Sequence, residues 1–247
     1  MSVFKKSNYL SQSIKSVLNQ TYSFYELIII NDNPKSLEIK NILEEFKKKD
    51  KRIRIINNKK NIGLAASLNK GIRLSKYGLI FRMDSDDISH NKRLEKQLNY
   101  MNNNKHVDIL GTNAILIKQD GTPFGKTNLP HKNEEIKKKI IFNNPLLHPS
   151  ICYKKKIFKK ENFYNENFKK CQDIELWMRL REKKIIFSNL KACLISYRVS
   201  KEIDLLTIFY DFKASLKYFL NLRNFYIPFL RLFKNIIFMF VRFIKLA

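Results

Sequence analysis

An α/β fold is what this 247-residue sequence predicts: a mixed, mostly parallel sheet flanked by helices, with amphipathic helices at its carboxyl end. Three observations carry that expectation. Short apolar runs alternate with stretches of helical periodicity through the first hundred or so residues, giving the order β-α-β-α-β of a parallel sheet with right-handed crossovers. An acidic knot, Asp84-Ser85-Asp86-Asp87, directly follows the apolar run Gly78–Met83, where a buried strand ends. Residues 203–247 interleave aromatic and aliphatic side chains with Lys and Arg and contain no glycine.

The elements follow in order. Ser7 is placed to cap a helix whose Leu10, Ile14, Val17 and Leu18 share a face. Leu27–Ile30 is a continuous apolar run, as expected of a strand covered on both faces. A helix over roughly 36–48 turns Leu37, Ile42, Leu43 and Phe46 inward. Ile53–Ile56 is the next strand, Leu64–Leu74 a helix, and Tyr77–Met83 the strand that delivers the acidic knot. In the second half Val107–Ile117 and Cys193–Val199 read as strands, with a turn at Gly121 and helices near 133–142 and 173–183. The predicted organisation is a domain over 1–202, its first half about 1–104 and its second about 105–202, followed by the tail 203–247, which Pro228 splits into two helices.

Composition narrows the function. Apolar content of 44% and aromatic content of 13% belong to a folded chain. Three cysteines without a CxxC pair read as reduced, packed thiols of a cytoplasmic protein. No early apolar core of a signal peptide and no run of about 18 apolar residues is present, so neither secretion nor a spanning helix is expected. The 48 Lys and Arg against 22 Asp and Glu leave a net charge of +26, which calls for an anionic substrate, an anionic membrane surface or nucleic acid. No nucleic-acid-binding motif accompanies the charge, so nucleic acid is the weaker reading. Between 205 and 247, Asp211 stands against Lys213, Lys217, Arg223, Arg231, Lys234, Arg242 and Lys245. That pattern predicts a basic amphipathic helix seated on an anionic membrane surface, with packing on the chain's own domain or a homodimer as the alternative.

Carboxylates at the end of a strand suit Mg²⁺ or Mn²⁺, hard cations that also bind phosphates. Asp32 follows an earlier strand and falls on the same rim, where ligands of open α/β sheets bind. An EF-hand is excluded because Ser89 stands where its loop needs glycine. A phosphotransferase with Asp84 as nucleophile and Asp86 as acid/base lacks supporting segments. Trp177 reads as core, Arg93 as a partner of the acidic loop, a phosphate contact or a helix-surface arginine, and His148 as either site or core.

Several segments in order resemble the inverting nucleotide-sugar glycosyltransferases of the GT-A fold, glycosyltransferase family 2, bacterial surface-polysaccharide type. They are Ser16-Val17-Leu18-Asn19-Gln20-Thr21-Tyr22, Glu26-Leu27-Ile28-Ile29-Ile30-Asn31-Asp32, Asn61-Ile62-Gly63-Leu64 and Asn69-Lys70-Gly71-Ile72, then Arg82-Met83-Asp84-Ser85-Asp86-Asp87 with Arg93-Leu94, Asn144-Pro145, His148-Pro149-Ser150 and Asp173-Ile174-Glu175-Leu176-Trp177. The resemblance spans about residues 1–200. It implies a UDP-sugar donor held by Ser2, Phe4, Asp32, Asn69, Asp84, Ser85 and Asp86, with Phe4 on the base and Asp32 at the uracil ring. It implies Mn²⁺ or Mg²⁺ on Asp86 and Asp84, with Asp173 as general base. His148 and Arg198 fall where acceptor or diphosphate would lie. The implied activity is a hexosyltransferase one, onto a saccharide, a lipid-linked acceptor, lipopolysaccharide or capsule, and the implied location is the inner face of a bacterial plasma membrane. Asn31, Leu68, Gln172 and Ser200 depart from the family pattern, and Met1 falls inside the expected first strand. A catalytically weakened nucleotide-sugar-binding or scaffold protein is the alternative.

Overall fold

Parallel pairing begins at the amino terminus. In the computed structural model, which describes residues 1–5, 8–158, 163–199, 205–219 and 225–244 (the side chains of 238 and 240–244 excepted), strand β1 (Ser2–Val3) pairs with β2 (Leu27–Asn31), with Ser2 opposite Ile30. Helix α1 (Leu10–Leu18) connects them. The expected cap Ser7 lies outside the described residues, and Tyr9 at the cap position makes no side-chain capping bond. Helix α2 (Leu37–Lys49) starts as its sequence demands, Ser36 Oγ accepting from the Ile39 amide at 3.3 Å. Its buried face is Ile39, Leu43 and Phe46, while Leu37, expected inside, is 72% exposed. Leu37 is the first helical residue, and the seam of spacing four and three runs from 39 instead.

Strand β3 (Ile53–Asn57) completes a three-stranded parallel sheet of order β1-β2-β3, and α3 (Leu64–Leu74) follows. Gly63 opens α3 at φ 86°, a left-handed conformation that suits glycine. The next strands build a second sheet: β4 (Leu79–Phe81), β5 (Ile88–Ser89), β6 (Ile109–Ile117), β7 (Pro123–Lys126), β8 (Cys152–Lys154) and β9 (Phe187–Arg198), in the order β4-β8-β6-β9-β5 with β7 on β6. Only β6 and β9 pair in parallel there, so parallel pairing is concentrated in the first sheet. Strand β4 is shorter than the predicted 77–83, pairs with β8 alone, and is only half-buried along its length. Strand β9 begins earlier than the predicted Cys193, because Ser188, Asn189 and Lys191 break the apolar signal while the backbone still pairs with β6.

Helices α4 (Arg93–Asn103), α5 (Asn133–Ile140) and α6 (Gln172–Arg181) cover this sheet. Trp177, 1% exposed, lies in the largest apolar cluster with Tyr153, Phe187 and Leu176. Helices α7 (Leu205–Phe219) and α8 (Tyr226–Ile244) close the chain. Pro228 does not divide them. It sits in the first turn of α8, where a missing amide costs nothing. The pair is anchored by a buried ion pair, Arg231 Nε to Asp211 Oδ2 at 3.1 Å, and Arg231 also donates to the Ile140 and Ile141 carbonyls at 3.0 Å. Arg231 is therefore an internal strut, removed from the basic surface that the sequence assigned it.

Candidate active site

The acidic loop between β4 and β5 is held from several sides. Arg93, buried under β4, donates to the Arg82 carbonyl at 2.7 Å and to Gln97 at 3.0 Å, and burial lowers its guanidinium to about 10. It touches neither the acidic side chains nor open solvent, so it braces the strand from below. Ser13 Oγ of α1 donates to the Asp84 carbonyl at 2.8 Å. The Arg82 guanidinium grips both Asp84 oxygens. Arg198, at the end of β9, gives its amide to Asp87 Oδ1 at 2.7 Å and its Nε to the Asp86 carbonyl at 3.0 Å. Its remaining contacts are the carbonyls of Lys118 and Gln119, Gln12 Oε1 and the Tyr9 ring at 3.7 Å. Arg198 thus clamps the loop beside the acidic cluster.

Three carboxylates converge as a result. Oxygens of Asp84, Asp86 and Asp87 lie within 4.8 Å of one another. Asp87 is 1% exposed, and its Oδ2 has no hydrogen-bond partner. Burial first, then Asp84, pushes the Asp87 carboxyl well above the ordinary range. Asp86 opens to solvent, yet the surrounding protein and then Asp84 raise its carboxyl too. An all-oxygen set of three close carboxylates with one orphaned buried oxygen fits a hard divalent cation. Asp87 was in the acidic knot but absent from the sequence-based ligand pair Asp84 and Asp86. Its burial, invisible in the sequence, is what marks it.

Asp173 occupies the second helical position of α6. Its Oδ2 accepts from Asn144 Nδ2 at 2.8 Å. Burial raises its carboxyl, against the lowering effect of the Ile174 amide and Asn144. The acidic loop and Asp173 share an electrostatic neighbourhood. The Arg82 charge acts on Asp84, Asp86, Asp87 and Asp173, and the Tyr197 phenol is pushed up by burial and then by Asp84, Asp87 and Asp173. Arg82, Asn144 and Tyr197 were not singled out from the sequence, although Arg82 and Asn144 stand in the segments that carry the resemblance.

The other predicted residues divide. Phe4 is 44% exposed, and Ser2 of β1 pairs with Ile30 of β2. Ser85 lies half-buried in the acidic loop. Asp32 is 1% exposed, and its oxygens accept from Asn58 Nδ2 at 2.8 Å and from the Ile62 and Gly63 amides at 2.9 Å. Asn69 is equally buried and ties down the 164–166 segment through Tyr164 and Glu166. Both residues are thus tied to neighbouring segments by backbone and side-chain hydrogen bonds. His148 is buried, its Nε2 at 2.7 Å from the Tyr164 hydroxyl, which also contacts the Tyr153 hydroxyl. Burial and then Arg82 lower its pKa well below the usual value, so the ring is neutral.

Residues 1–164 match the family described as Glycosyl transferase family 2. The chain belongs to that family. It is 37% identical over 202 residues to the O-antigen biosynthesis glycosyltransferase WbnJ of Escherichia coli, covering 81% of this chain and 78% of that one. An uncharacterised glycosyltransferase of Methanocaldococcus jannaschii is 36% identical over 192 residues, covering 77% of this chain and 66% of its own length. An E. coli protein named UDP-Gal:alpha-D-GlcNAc-diphosphoundecaprenol beta-1,3-galactosyltransferase is 27% identical over 205 residues, covering 82% of this chain and 74% of that one. Among solved structures, S. aureus TarS 1–349 in complex with UDP-GlcNAc shares the fold at a TM-score of 0.67 and 15% identity, over 89% of this chain and 65% of that one. The longer TarS chain has a TM-score of 0.66 at 17% identity, with 89% of this chain covering 39% of that one. The GT-A expectation for the fold is met.

Proposed function

We propose that this chain is an inverting glycosyltransferase, moving a sugar from a UDP-sugar onto a lipid-linked or surface-polysaccharide acceptor. The observation that carries the reading is the acidic triad Asp84, Asp86 and Asp87 sharing the field of one buried arginine with Asp173. A Mg²⁺ or Mn²⁺ ion held by Asp86 and Asp87 with Asp84 would neutralise charge developing on the diphosphate leaving group. Arg82 holds Asp84 in place, and Arg198 fixes the loop backbone. Asp173 is the general base: it takes the acceptor hydroxyl proton as the acceptor oxygen bonds the anomeric carbon and the bond to UDP breaks. Asn144 orients Asp173 through its Oδ2, and the raised pKa brings the base closer to neutral pH. The exposed Phe4 ring suits stacking on the nucleotide base. The family name and the substrates printed for relatives support a nucleotide-sugar donor and a polysaccharide-assembly acceptor.

The test is transfer from radiolabelled UDP-sugars to a lipid-diphosphate saccharide, with Mn²⁺ present. Asp173→Asn is expected to reduce kcat by about 10²-fold or more while UDP binding is retained. Equal turnover by the variant removes the reading.

The tail extends the proposal to a peripheral seat on an anionic membrane. No helix among the described residues is long and apolar enough to cross a membrane. Yet Phe209, Phe229, Leu230, Phe233 and Ile237 are 44–64% exposed on the last two helices. Such an apolar face beside lysines suits a bilayer interface. Sedimentation with anionic vesicles is expected, and Phe233→Glu with Leu230→Glu should release the chain. Full recovery of the double variant with the vesicles counts against the membrane seat.

A further inference from the structure

Two cations of the last helix, α8, complete the carboxyl end of α5. The final carbonyls of a helix find no partner within it. Here the amides of Ile141, Phe142 and Asn143 turn back onto the carbonyls of Lys138 and Lys139, and the next carbonyls are met from α8. Arg231 Nη1 donates to the Ile140 and Ile141 carbonyls at 3.0 Å each. Lys234 Nζ donates to the Phe142 carbonyl at 2.7 Å and to Asn143 Oδ1. Positive charge in this place also meets the negative end of the α5 dipole.

The turn fixed in this way runs straight into Asn144. That side chain gives its Nδ2 to Asp173 Oδ2 at 2.8 Å and takes the Leu146 amide on its Oδ1 at 3.3 Å. Asn144 is exposed, so packing does not hold it. Pro145 follows and keeps the residue before it in extended backbone, and the Pro145 carbonyl is itself held by Asn189 at 3.0 Å. The direction of Asn144 is therefore set by the anchored turn before it and the proline after it. The start of α6, which carries Asp173, is tied to the other tail helix. Cys171, in left-handed backbone at φ 55°, donates its thiol to the Thr207 carbonyl of α7 at 3.3 Å. Tyr218 of α7 donates to Glu175 Oε1 at 2.5 Å. Both sides of the Asn144–Asp173 contact thus rest on the α7–α8 pair, which the Arg231–Asp211 ion pair joins.

We propose that Lys234 and Arg231 are positioning residues of the transfer reaction: by anchoring the 140–143 turn they aim Asn144 at Asp173. The role rests on Asp173 being the general base. It divides the tail's work between two faces of one helix. Phe229, Leu230, Phe233 and Ile237 stay exposed, while Arg231 and Lys234 reach inward to the domain. The leading influences on Asp173 besides burial are the Ile174 amide, Asn144 and Arg82, and Tyr153, Tyr164, Cys171 and Tyr197 feel its charge. Lys234 is not among them, so its effect on the base passes through the turn.

The experiment uses the full chain with Mn²⁺, UDP-galactose and UDP-GlcNAc as donors, and a short-chain lipid-diphosphate saccharide that dissolves without vesicles, which removes any contribution of membrane binding. Lys234→Met keeps the apolar stem and removes the donor. It is expected to lower kcat about tenfold, a part of the full worth of a general base, with KM for the donor unchanged. The acid limb of its kcat profile should move to higher pH, because the Asn144 bond lowers the Asp173 carboxyl and its loss lets that carboxyl rise. Lys234→Arg should restore both. Asn144→Ala should shift the profile in the same way, and adding Lys234→Met to it should change kcat by less than about twofold. Independently of any donor, the Leu146 amide should exchange faster in Lys234→Met. Arg231 is buried against Asp211 and its removal strands that charge, whereas Lys234 is exposed and is the deciding position. An unchanged kcat, pH profile and Leu146 exchange in Lys234→Met, beside an inactive Asp173→Asn, overturns the positioning role and leaves the base in place. A loss that Lys234→Arg does not restore, or that adds fully to Asn144→Ala, overturns it as well. Turnover by Asp173→Asn overturns the base and this role together.

Discussion

Two loops carry carboxylates off the ends of strands in this molecule, and they have opposite fates. At the end of β2, Asp32 is well supplied: Asn58 and two backbone amides donate to its oxygens. At the end of β4, Asp84, Asp86 and Asp87 crowd together, with one oxygen orphaned and two carboxyls pushed up by their surroundings and by Asp84. The Asp32 carboxylate is held by donors from neighbouring segments. A set of three close carboxylates with one buried oxygen unpartnered suits a cation, and that difference separates two loops that look alike as sequence.

The comparison breaks most visibly under neutralisation of each loop. Asp86→Asn and Asp87→Asn should each lower transfer by about 10²-fold or more. They should also erase the stabilisation by Mn²⁺, about 2.7 kcal/mol at a hundredfold excess over Kd, in a thermal melt. Without metal these variants are expected to melt at or above the wild-type temperature, since a like charge is gone. Asp32→Asn should do the reverse. An amide NH₂ facing the Gly63 N–H leaves a donor unpaired, costing about 1–3 kcal/mol and lowering Tm by roughly 3–10 °C, with the Mn²⁺ response intact. A stable Asp32→Asn that has lost the Mn²⁺ response would exchange the two assignments.

A smaller effect sharpens the boundary between site and core. His148 has a folded pKa far below its unfolded value near 6.5. The unfolded chain therefore binds the extra proton first, and stability is lost as pH falls below about 6.5 toward the folded value. This ring contributes a slope of at most about 1.4 kcal/mol per pH unit. His148→Gln, which can still meet the Tyr164 hydroxyl, should flatten that slope in urea melts between pH 5 and 7. An unchanged slope would mean that the ring titrates normally and faces the site.

Much of the fold was legible because it rests on local signals. The β2 and β3 runs, the approximate span of α2 and the α3 boundaries all depend on neighbours within a few residues. The family resemblance was legible for the same reason, since its segments are short and ordered along the chain. Strand β8 and the first half of β9 were not, because their pairing with β6 is decided across more than forty residues. Leu37 was misplaced because the edge of an amphipathic face looks like its centre until the helix start is known.

The sequence by itself determined that strands would deliver acidic residues to a sheet rim and that Asp173 would begin a helix. Only the tertiary structure decided which carboxylates are free. That depends on where amides from distant segments land: Ile62 and Gly63 on Asp32, Asn144 on Asp173, and no donor on Asp87 Oδ2. Burial and hydrogen-bond supply are properties of the packed chain, and they give equivalent aspartates different surroundings: donors on Asp32, the Asn144 amide on Asp173, and a crowded candidate cation site at Asp84, Asp86 and Asp87.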